Sequence, residues 1–276
     1  MGFLRLVRHG PQASQQILIS SQVYFASLLA AFTHASPLAK RDQTVVSGSL
    51  GTDGYWNDYD GGLNNYTQYD GNGSIAEGWP SVLTWASFND LWVANQHIIS
   101  RSCSQLYNTP NNSDQEIQDL YNSIKQVAHD TRVDKRFILA AILQETKGCV
   151  RAKTTTSSDG ITNPGLLQSF KGNHSCNDNG KVQNPCPQDQ ILGMISDGVA
   201  GTGTEQGYAT DINAQADVNG IEYAQAYYRA ARLYNSGTID SSGDLGKGSA
   251  THCYSSDIAN RLVGWTDSAS TCTLDD

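Results

Sequence analysis

The segment that most constrains the fold of this chain is residues 134–148, which read DKRFILAAILQETKG. It begins with an aspartate, a common helix N-cap, and ends with a glycine, which often follows a helix C-terminus. One helix face, with positions i, i+3, i+4 and i+7, is held by Ile138, Ala141, Ile142 and Glu145. We therefore predict a helix whose apolar face enters the core and carries the Glu145 carboxyl at its edge.

A carboxyl group in that place loses part of the hydration of its charged form, which raises its pKa. Such a group keeps its proton nearer neutral pH and can act as a general acid. The alternative is a Glu145 in solvent that pairs with Lys147 or Arg151. Helical spacing alone leaves both interpretations open.

Other parts of the chain also follow helical patterns. Ser113 and Glu116 form the S-x-x-E pattern of a capping box, and an amphipathic helix follows with apolar residues at 117, 120, 124 and 127. Further helices are predicted for residues 188–199, 221–234 and 256–263, and no strand pattern has comparable strength. The predicted fold class is therefore mainly α.

A segment without helical periodicity follows the glutamate helix. Residues 154–163 (TTTSSDGITN) are rich in turn-forming residues, so we expect a loop that brings the chain back towards Glu145. The loop leads into Gly165, which permits close backbone approach, and Gln168, whose amide can hold a polar group of a ligand.

Three short motifs occur in this order: Glu145-Thr146-Lys147-Gly148, Gly165-Leu166-Leu167-Gln168 and Ala231-Arg232-Leu233-Tyr234-Asn235-Ser236-Gly237. They resemble the E-S-x-G, G-L-M-Q and A-x-Y-N-x-G motifs of the soluble lytic transglycosylase and goose-type lysozyme family. The resemblance covers residues 113–266. The whole chain is similar to a group of secreted fungal proteins that carry such a domain.

The resemblance implies a lysozyme-like helical domain with a cleft and with Glu145 as the sole catalytic acid. It also implies cleavage of β-1,4-linked N-acetylated amino sugars, with peptidoglycan as the first candidate polymer and chitin as the second. Protonation of a glycosidic oxygen needs an acid of this kind. The residues that would bind or position the substrate are Gly165, Leu166, Gln168, Tyr234 and Asn235.

Departures from the family pattern bear on the mechanism. Thr146 and Leu167 replace a serine and a methionine, which are mild changes. Asp159 stands where goose-type lysozymes carry an aspartate that positions water, and Phe170 replaces their second aspartate. A carboxyl separation from Glu145 of about 6.5 to 9.5 Å would fit an inverting hydrolase, with Asp159 as a second catalytic residue.

The alternative for Asp159 is a turn-stabilising side chain within residues 158–160. Glu145 would then act twice. It would protonate the leaving oxygen and then take a proton from the 6-hydroxyl of the sugar, which gives an anhydro product without water.

We expect three segments along the chain. Residues 1–41 contain an apolar stretch after Arg5 and Arg8 and end in the dibasic pair Lys40-Arg41, so we predict a signal peptide and propeptide, with a signal anchor as the alternative. Residues 42–100 form an N-terminal extension rich in aromatic residues and glycine, and residues 101–276 form the catalytic domain. The predicted location is extracellular.

The cysteines and sequons agree with export. Three disulfides are expected from Cys103, Cys149, Cys176, Cys186, Cys253 and Cys272. Cys176 and Cys186 enclose a short loop and should pair with each other, while the other four leave three pairings open. A metal site built from His174 and these two cysteines lacks a supporting spacing. N-glycosylation sequons, expected at the surface, begin at Asn65, Asn72, Asn111 and Asn173.

Charge limits the partners. Removal of residues 1–41 takes away four basic and no acidic residues, so 14 basic and 27 acidic residues remain, a net charge of −13. Such a chain is repelled by anionic walls at neutral pH, so it would work in acid or on a neutral polymer such as chitin. The low basic content argues against nucleic acid as a partner. We expect a monomer with no membrane contact after processing and no cofactor or metal.

The aromatic extension has two interpretations. Trp85, Phe88 and Trp92 fall at i, i+3 and i+7, so they can pack as one helix face onto the catalytic domain. Tyr55, Trp56 and Tyr59 could instead stack on sugar rings. A rival function for the whole chain is a non-catalytic wall-binding or effector protein that keeps the cleft without turnover.

Overall fold

The computed structural model describes residues 44–52, 62–157 and 159–275. Within these ranges the chain is mainly helical, as the sequence predicts, with eight α-helices and two short hairpins. The helices are α1 (Phe88–Ile99), α2 (Ser102–Tyr107), α3 (Asp114–Thr131), α4 (Lys135–Thr146), α5 (Gln188–Val199), α6 (Tyr208–Asn213), α7 (Tyr223–Ser236) and α8 (Tyr254–Leu262). The predicted leader (1–41) and the residues Tyr55, Trp56 and Tyr59 lie outside the described residues.

The helix that carries Glu145, α4, packs against α1, α3 and α8. Its N-cap, Asp134, accepts a hydrogen bond from the backbone N–H of Arg136, as the capping pattern predicts. The predicted core face is fully buried: Ile138, Ala141 and Ile142. Burial of one large aliphatic side chain contributes roughly 1.5–3 kcal/mol, so this face holds α4 in place. The helix stops because Lys147 and Gly148 both adopt left-handed backbone conformations.

The other predicted helices are present with small shifts. The capping box of Ser113 and Glu116 is confirmed at the start of α3, and α5 has the predicted bounds. The predicted helix 221–234 begins later, because the side chain of Glu222 caps it in a reciprocal pair with Gln225. Helices α2 and α6 have only six residues each, too few to show a period in the sequence.

The loop expected at 154–163 contains a hairpin that the sequence did not predict. Strand β1 (Thr155–Thr156) pairs antiparallel with β2 (Thr162–Asn163), and the pairs Thr155–Asn163 and Thr156–Thr162 set the register. A second hairpin joins β3 (Asn177–Asp178) to β4 (Lys181–Val182) inside the Cys176–Cys186 loop. Strands of two residues are too short to show an alternating pattern in the sequence.

The described part of the N-terminal extension contributes to the same hydrophobic core as the rest. Trp85, Phe88 and Trp92 are buried, which confirms the packing interpretation, although Trp85 lies just before α1 rather than on it. Trp85 Nε1 donates to Tyr228 Oη at 2.7 Å, so the indole gains a partner on α7. The domain boundary at residue 100 stays a prediction.

Three disulfides close loops in the described chain. The expected Cys176–Cys186 pair is confirmed, and the other four cysteines form Cys103–Cys149 and Cys253–Cys272. The first of these joins α2 to the segment just after α4, and the last fastens the chain end near the start of α8. Each closed loop restricts the unfolded chain and so stabilises the fold.

The sequon asparagines lie at or near the surface. Asn65, Asn111 and Asn173 are exposed, as predicted. Asn72 is half-buried, and its Oδ1 accepts from the backbone N–H of Ser74 at 2.9 Å. In the described ranges, no helix combines the length and apolar composition that a bilayer span requires.

Gly165 lets the loop that follows β2 pack closely against α5. Its backbone is left-handed, with φ of 80°. A Cβ at this position would lie 2.7 Å from Cγ of Met194, a buried residue of α5. Both the backbone conformation and the space therefore require glycine.

We predict that Gly165→Ala destabilises the fold far more than Gly160→Ala does. Gly160 has a similar φ of 82°, but a Cβ there meets nothing within 4 Å. The left-handed backbone should cost about 1 kcal/mol at both sites. Overpacking against Met194 should add about 1–3 kcal/mol at Gly165 alone. Urea unfolding of both variants measures the difference, and equal losses would contradict the packing argument.

Candidate active site

Glu145 lies in the last turn of α4 and is half-buried. Its Oε1 accepts a hydrogen bond from Tyr254 Oη at 2.5 Å. Burial raises the pKa of Glu145 to about 7, and the Tyr254 hydrogen bond and the charge of Lys147 lower it by less. Arg151 pairs with Glu116 instead, and no ion pair joins Glu145 to Lys147 among the described residues. The salt-bridged surface interpretation of Glu145 is therefore wrong.

A chain of tyrosine hydroxyls leads away from Glu145 into the core. Tyr254 is the first residue of α8, and its Oη lies 2.7 Å from the Oη of Tyr208, the first residue of α6. Because Tyr254 donates its single proton to Glu145, Tyr208 donates to Tyr254. The Tyr208 ring stacks on the Tyr234 ring, with centroids 3.8 Å apart and an interplanar angle of 16°. Three tyrosines from three helices thus line one side of the Glu145 environment.

Sequence reasoning missed Tyr254 and Tyr208. Neither residue lies in one of the three motifs, and each belongs to a helix whose start was predicted wrongly or not at all. Only the packing of α6, α7 and α8 brings them to Glu145. Tyr107, at the end of α2, is a further neighbour, since burial and then the charge of Glu145 raise its pKa.

Thr146 links the first motif to the second. Its Oγ1 lies 2.9 Å from the carbonyl oxygen of Leu166 and 3.2 Å from that of Ile142. A serine hydroxyl could make the same contacts, so replacement of the family serine keeps this link. Leu166 is fully buried and Gly165 is buried, so these two expected binding residues present no side-chain surface to a ligand. Both residues belong to the buried part of the loop that follows β2.

The amide of Gln168 is engaged within the protein. Its Nε2 donates to the carbonyl oxygens of Gly165 at 2.9 Å and Lys153 at 3.3 Å, and its Oε1 accepts from Thr155 Oγ1 at 2.9 Å. These bonds tie the β1–β2 hairpin to the loop that follows it. A role in holding substrate would require exchange of at least one of them.

Tyr234 and Asn235 from the third motif lie beside this loop. Tyr234 Oη donates to the carbonyl oxygen of Leu167 at 2.9 Å, so its hydroxyl is engaged within the protein. Asn235 Oδ1 accepts from Arg232 Nη1 at 3.4 Å, while no described residue accepts from Asn235 Nδ2. The half-buried Asn235 amide is therefore able to donate to a ligand.

Asp159 lies in the exposed turn of the β1–β2 hairpin. Its Oδ1 accepts from Ser157 Oγ at 2.5 Å, and this bond lowers the pKa of Asp159. The geometry agrees with the turn-stabilising alternative. A catalytic role for Asp159 stays a prediction.

A second polar cluster borders Glu145 on its Lys147 side. Gln144 bridges Asp257 and Arg261, since its Nε2 donates to Asp257 Oδ2 at 2.7 Å and its Oε1 accepts from Arg261 Nε at 2.9 Å. The Arg261 guanidinium lies 4.3 Å from the centroid of the Trp265 ring, and Lys147 Nζ lies 6.0 Å from the same centroid. Two cations thus share one aromatic ring.

In the described ranges, no group of three or more histidine, cysteine, aspartate or glutamate residues could hold a metal ion. Cys176 and Cys186 form a disulfide, and His174 Nδ1 lies 2.8 Å from Asp197 Oδ2. Two surface hollows, of about 440 and 390 Å³, lie elsewhere and do not include Glu145.

We predict that Glu145→Gln is more stable than the wild type at pH 8 and equally stable at pH 4. The folded protein raises the pKa of this carboxyl to about 7 from 4.5. An acid with a raised pKa costs stability as pH rises above 4.5, and the cost is complete above pH 7. The difference should reach about 3 kcal/mol in urea unfolding. No difference at pH 8 would contradict the burial argument.

Comparisons with known proteins identify no family for this chain. A scan against protein-family models, a search of curated proteins and a search of solved structures each found no match.

Proposed function

We propose that this chain is a secreted glycosidase with a lysozyme-like helical domain that cleaves β-1,4 bonds of N-acetylated amino-sugar polymers. Peptidoglycan is the first candidate substrate and chitin the second. One observation carries the proposal: a half-buried carboxyl, Glu145, has its pKa raised to about 7 by burial and is held by Tyr254. The three motifs that meet around it support the same conclusion, because Thr146 bonds to the Leu166 carbonyl and Tyr234 to the Leu167 carbonyl.

The proposed chemistry begins with proton transfer. At pH 5–6 a carboxyl with a pKa of about 7 is mostly protonated, so Glu145 can donate to the glycosidic oxygen. After donation, the carboxylate keeps the Tyr254 hydrogen bond, and Tyr208 in turn donates to Tyr254. The tyrosine chain would thus stabilise the ionised form that exists after the first step.

The second step depends on which group receives the next proton. Because Asp159 lies in an exposed turn and bonds to Ser157, its position supports the route in which Glu145 acts twice. The carboxylate of Glu145 takes a proton from the 6-hydroxyl, whose oxygen bonds to the anomeric carbon while the leaving sugar departs with the first proton. Transglycosylation is therefore the favoured outcome over hydrolysis.

Export is supported by the three disulfides, which are typical of extracellular proteins. The rival function is a non-catalytic wall-binding or effector protein. The engaged amide of Gln168 and the buried Leu166 favour it, because they leave few free groups to grip a substrate. The raised pKa of Glu145 favours the enzyme, since a binding surface has no need for a protonated acid.

We predict that Glu145→Gln lowers turnover of the cleaved polymer by about 10²–10⁴-fold. The wild-type rate should fall as pH rises past about 7, because the protonated form of Glu145 is lost there. Peptidoglycan and chitin are both assayed at acidic and neutral pH, with pelleting to measure binding. Binding of polymer by both proteins with turnover by neither would establish the rival function.

We predict that Asp159→Asn retains most of the wild-type turnover and the same products. Its carboxylate is used in the hairpin turn, so the amide should preserve much of that contact. Mass analysis of the products distinguishes anhydro ends, which indicate transglycosylation, from reducing ends, which indicate hydrolysis. Reducing ends together with loss of turnover in Asp159→Asn would restore Asp159 as the water-positioning carboxylate.

A further inference from the structure

The cations beside Glu145 have fewer anionic partners than their burial requires. Arg261 is only 1 % exposed, yet its Nη1 and Nη2 have no hydrogen-bond partner in the described chain. Buried guanidinium groups are normally hydrogen-bonded or paired, so two orphaned nitrogens call for an acceptor. Lys147 Nζ and the Arg261 guanidinium lie 6.0 and 4.3 Å from the centroid of the Trp265 ring. Burial and then the Arg261 charge lower the pKa of Lys147 to about 8.

The carboxylates in the neighbourhood do not neutralise both cations. Asp257 is bound by Tyr66 Oη at 2.6 Å and by Gln144 Nε2 at 2.7 Å, and forms no ion pair with Lys147 or Arg261 in the described residues. Glu145 carries its proton in the form that acts as an acid. In that form the cluster holds two positive charges and at most one negative charge, so one positive charge is left over.

The left-over charge can be reached from the Glu145 side. Lys147 is half-buried and follows Glu145 by two residues, whereas Arg261 lies deeper and stacks on the buried Trp265. A ligand would therefore meet Lys147 first, with Arg261 behind it. The half-buried Lys147 ammonium can donate directly to a carboxylate, while the Arg261 guanidinium, whose Nη1 and Nη2 are buried and unpartnered, adds positive charge behind it.

We propose that Lys147 and Arg261, around the Trp265 ring, form a binding site for a carboxylate beside Glu145. The inference rests on the proposed function only for the source of that carboxylate, an acidic sugar of the polymer. A free small carboxylate has the same chemistry and is the other possible source. The chain has a net charge of −9, which becomes −13 if the predicted leader is removed, so a local cluster of positive charge is an exception in an acidic protein.

The test compares two sugars that differ in one carboxylate, N-acetylmuramic acid and N-acetylglucosamine, with acetate as a third probe. Binding to the wild-type protein is followed at pH 6 by the side-chain NMR signals of Trp265 and Arg261. The acidic sugar should bind at least tenfold more tightly than the neutral one. The preference should disappear in Lys147→Met and in Arg261→Met, which keep an unbranched apolar side chain. Lys181→Met removes an exposed lysine on β4 and should keep the preference.

Each result decides the proposal. Tight acetate binding that depends on Lys147 supports the site with a free carboxylate as its ligand, and a preference for the acidic sugar alone supports the polymer as the source. Equal binding of the two sugars, with no change in the Arg261 NMR signals, overturns the proposal. A preference for the acidic sugar that survives in Lys147→Met also overturns it. Polymer turnover by the wild type is measured separately, so loss of the anion site and failure of the glycosidase proposal are told apart.

Discussion

The chemistry available to this protein depends on the burial of one carboxyl group. Glu145 lies in the last turn of a helix whose inner face is fully buried, so the backbone that carries the carboxyl is held at the edge of the core. Loss of hydration raises its pKa to about 7, and the Tyr254 hydroxyl limits the rise by stabilising the ionised form. The two effects oppose each other, which leaves a group able both to release and to accept a proton near neutral pH.

The second constraint is the position of the loop after the β1–β2 hairpin. Thr146 bonds to the Leu166 carbonyl, Tyr234 to the Leu167 carbonyl, and Gly165 packs on Met194. The loop is thereby fixed to three helices through its backbone. This arrangement explains why the motif residues Gly165 and Leu166 are buried, since they hold the loop in place, whereas Tyr234 and Asn235 of the third motif stay half-buried.

The sequence predicts the parts of this arrangement that repeat locally. The apolar period of α4, the capping box at Ser113 and the short Cys176–Cys186 loop are all visible without a structure, and each is confirmed. Tyr254, Tyr208 and the Arg261 cluster are not visible, because their contacts join residues about 50 to 120 positions apart whose spacing follows no period. Gln168 was predicted as a ligand-binding amide, but its hydrogen bonds depend on a hairpin too short to detect.

The charges near Glu145 also decide how an anionic polymer could be used by an acidic protein. The net charge, −9 for the whole chain and −13 for the predicted processed form, repels such a polymer, and salt weakens this repulsion beyond the Debye length of about 8 Å. Lys147 and Arg261 act only within that distance, after contact has been made. They would therefore improve discrimination among bound sugars and slow their release, without speeding the encounter. Acidic conditions would favour both the encounter with the polymer and the proton transfer from Glu145. They weaken the long-range repulsion and keep the Glu145 proton in place.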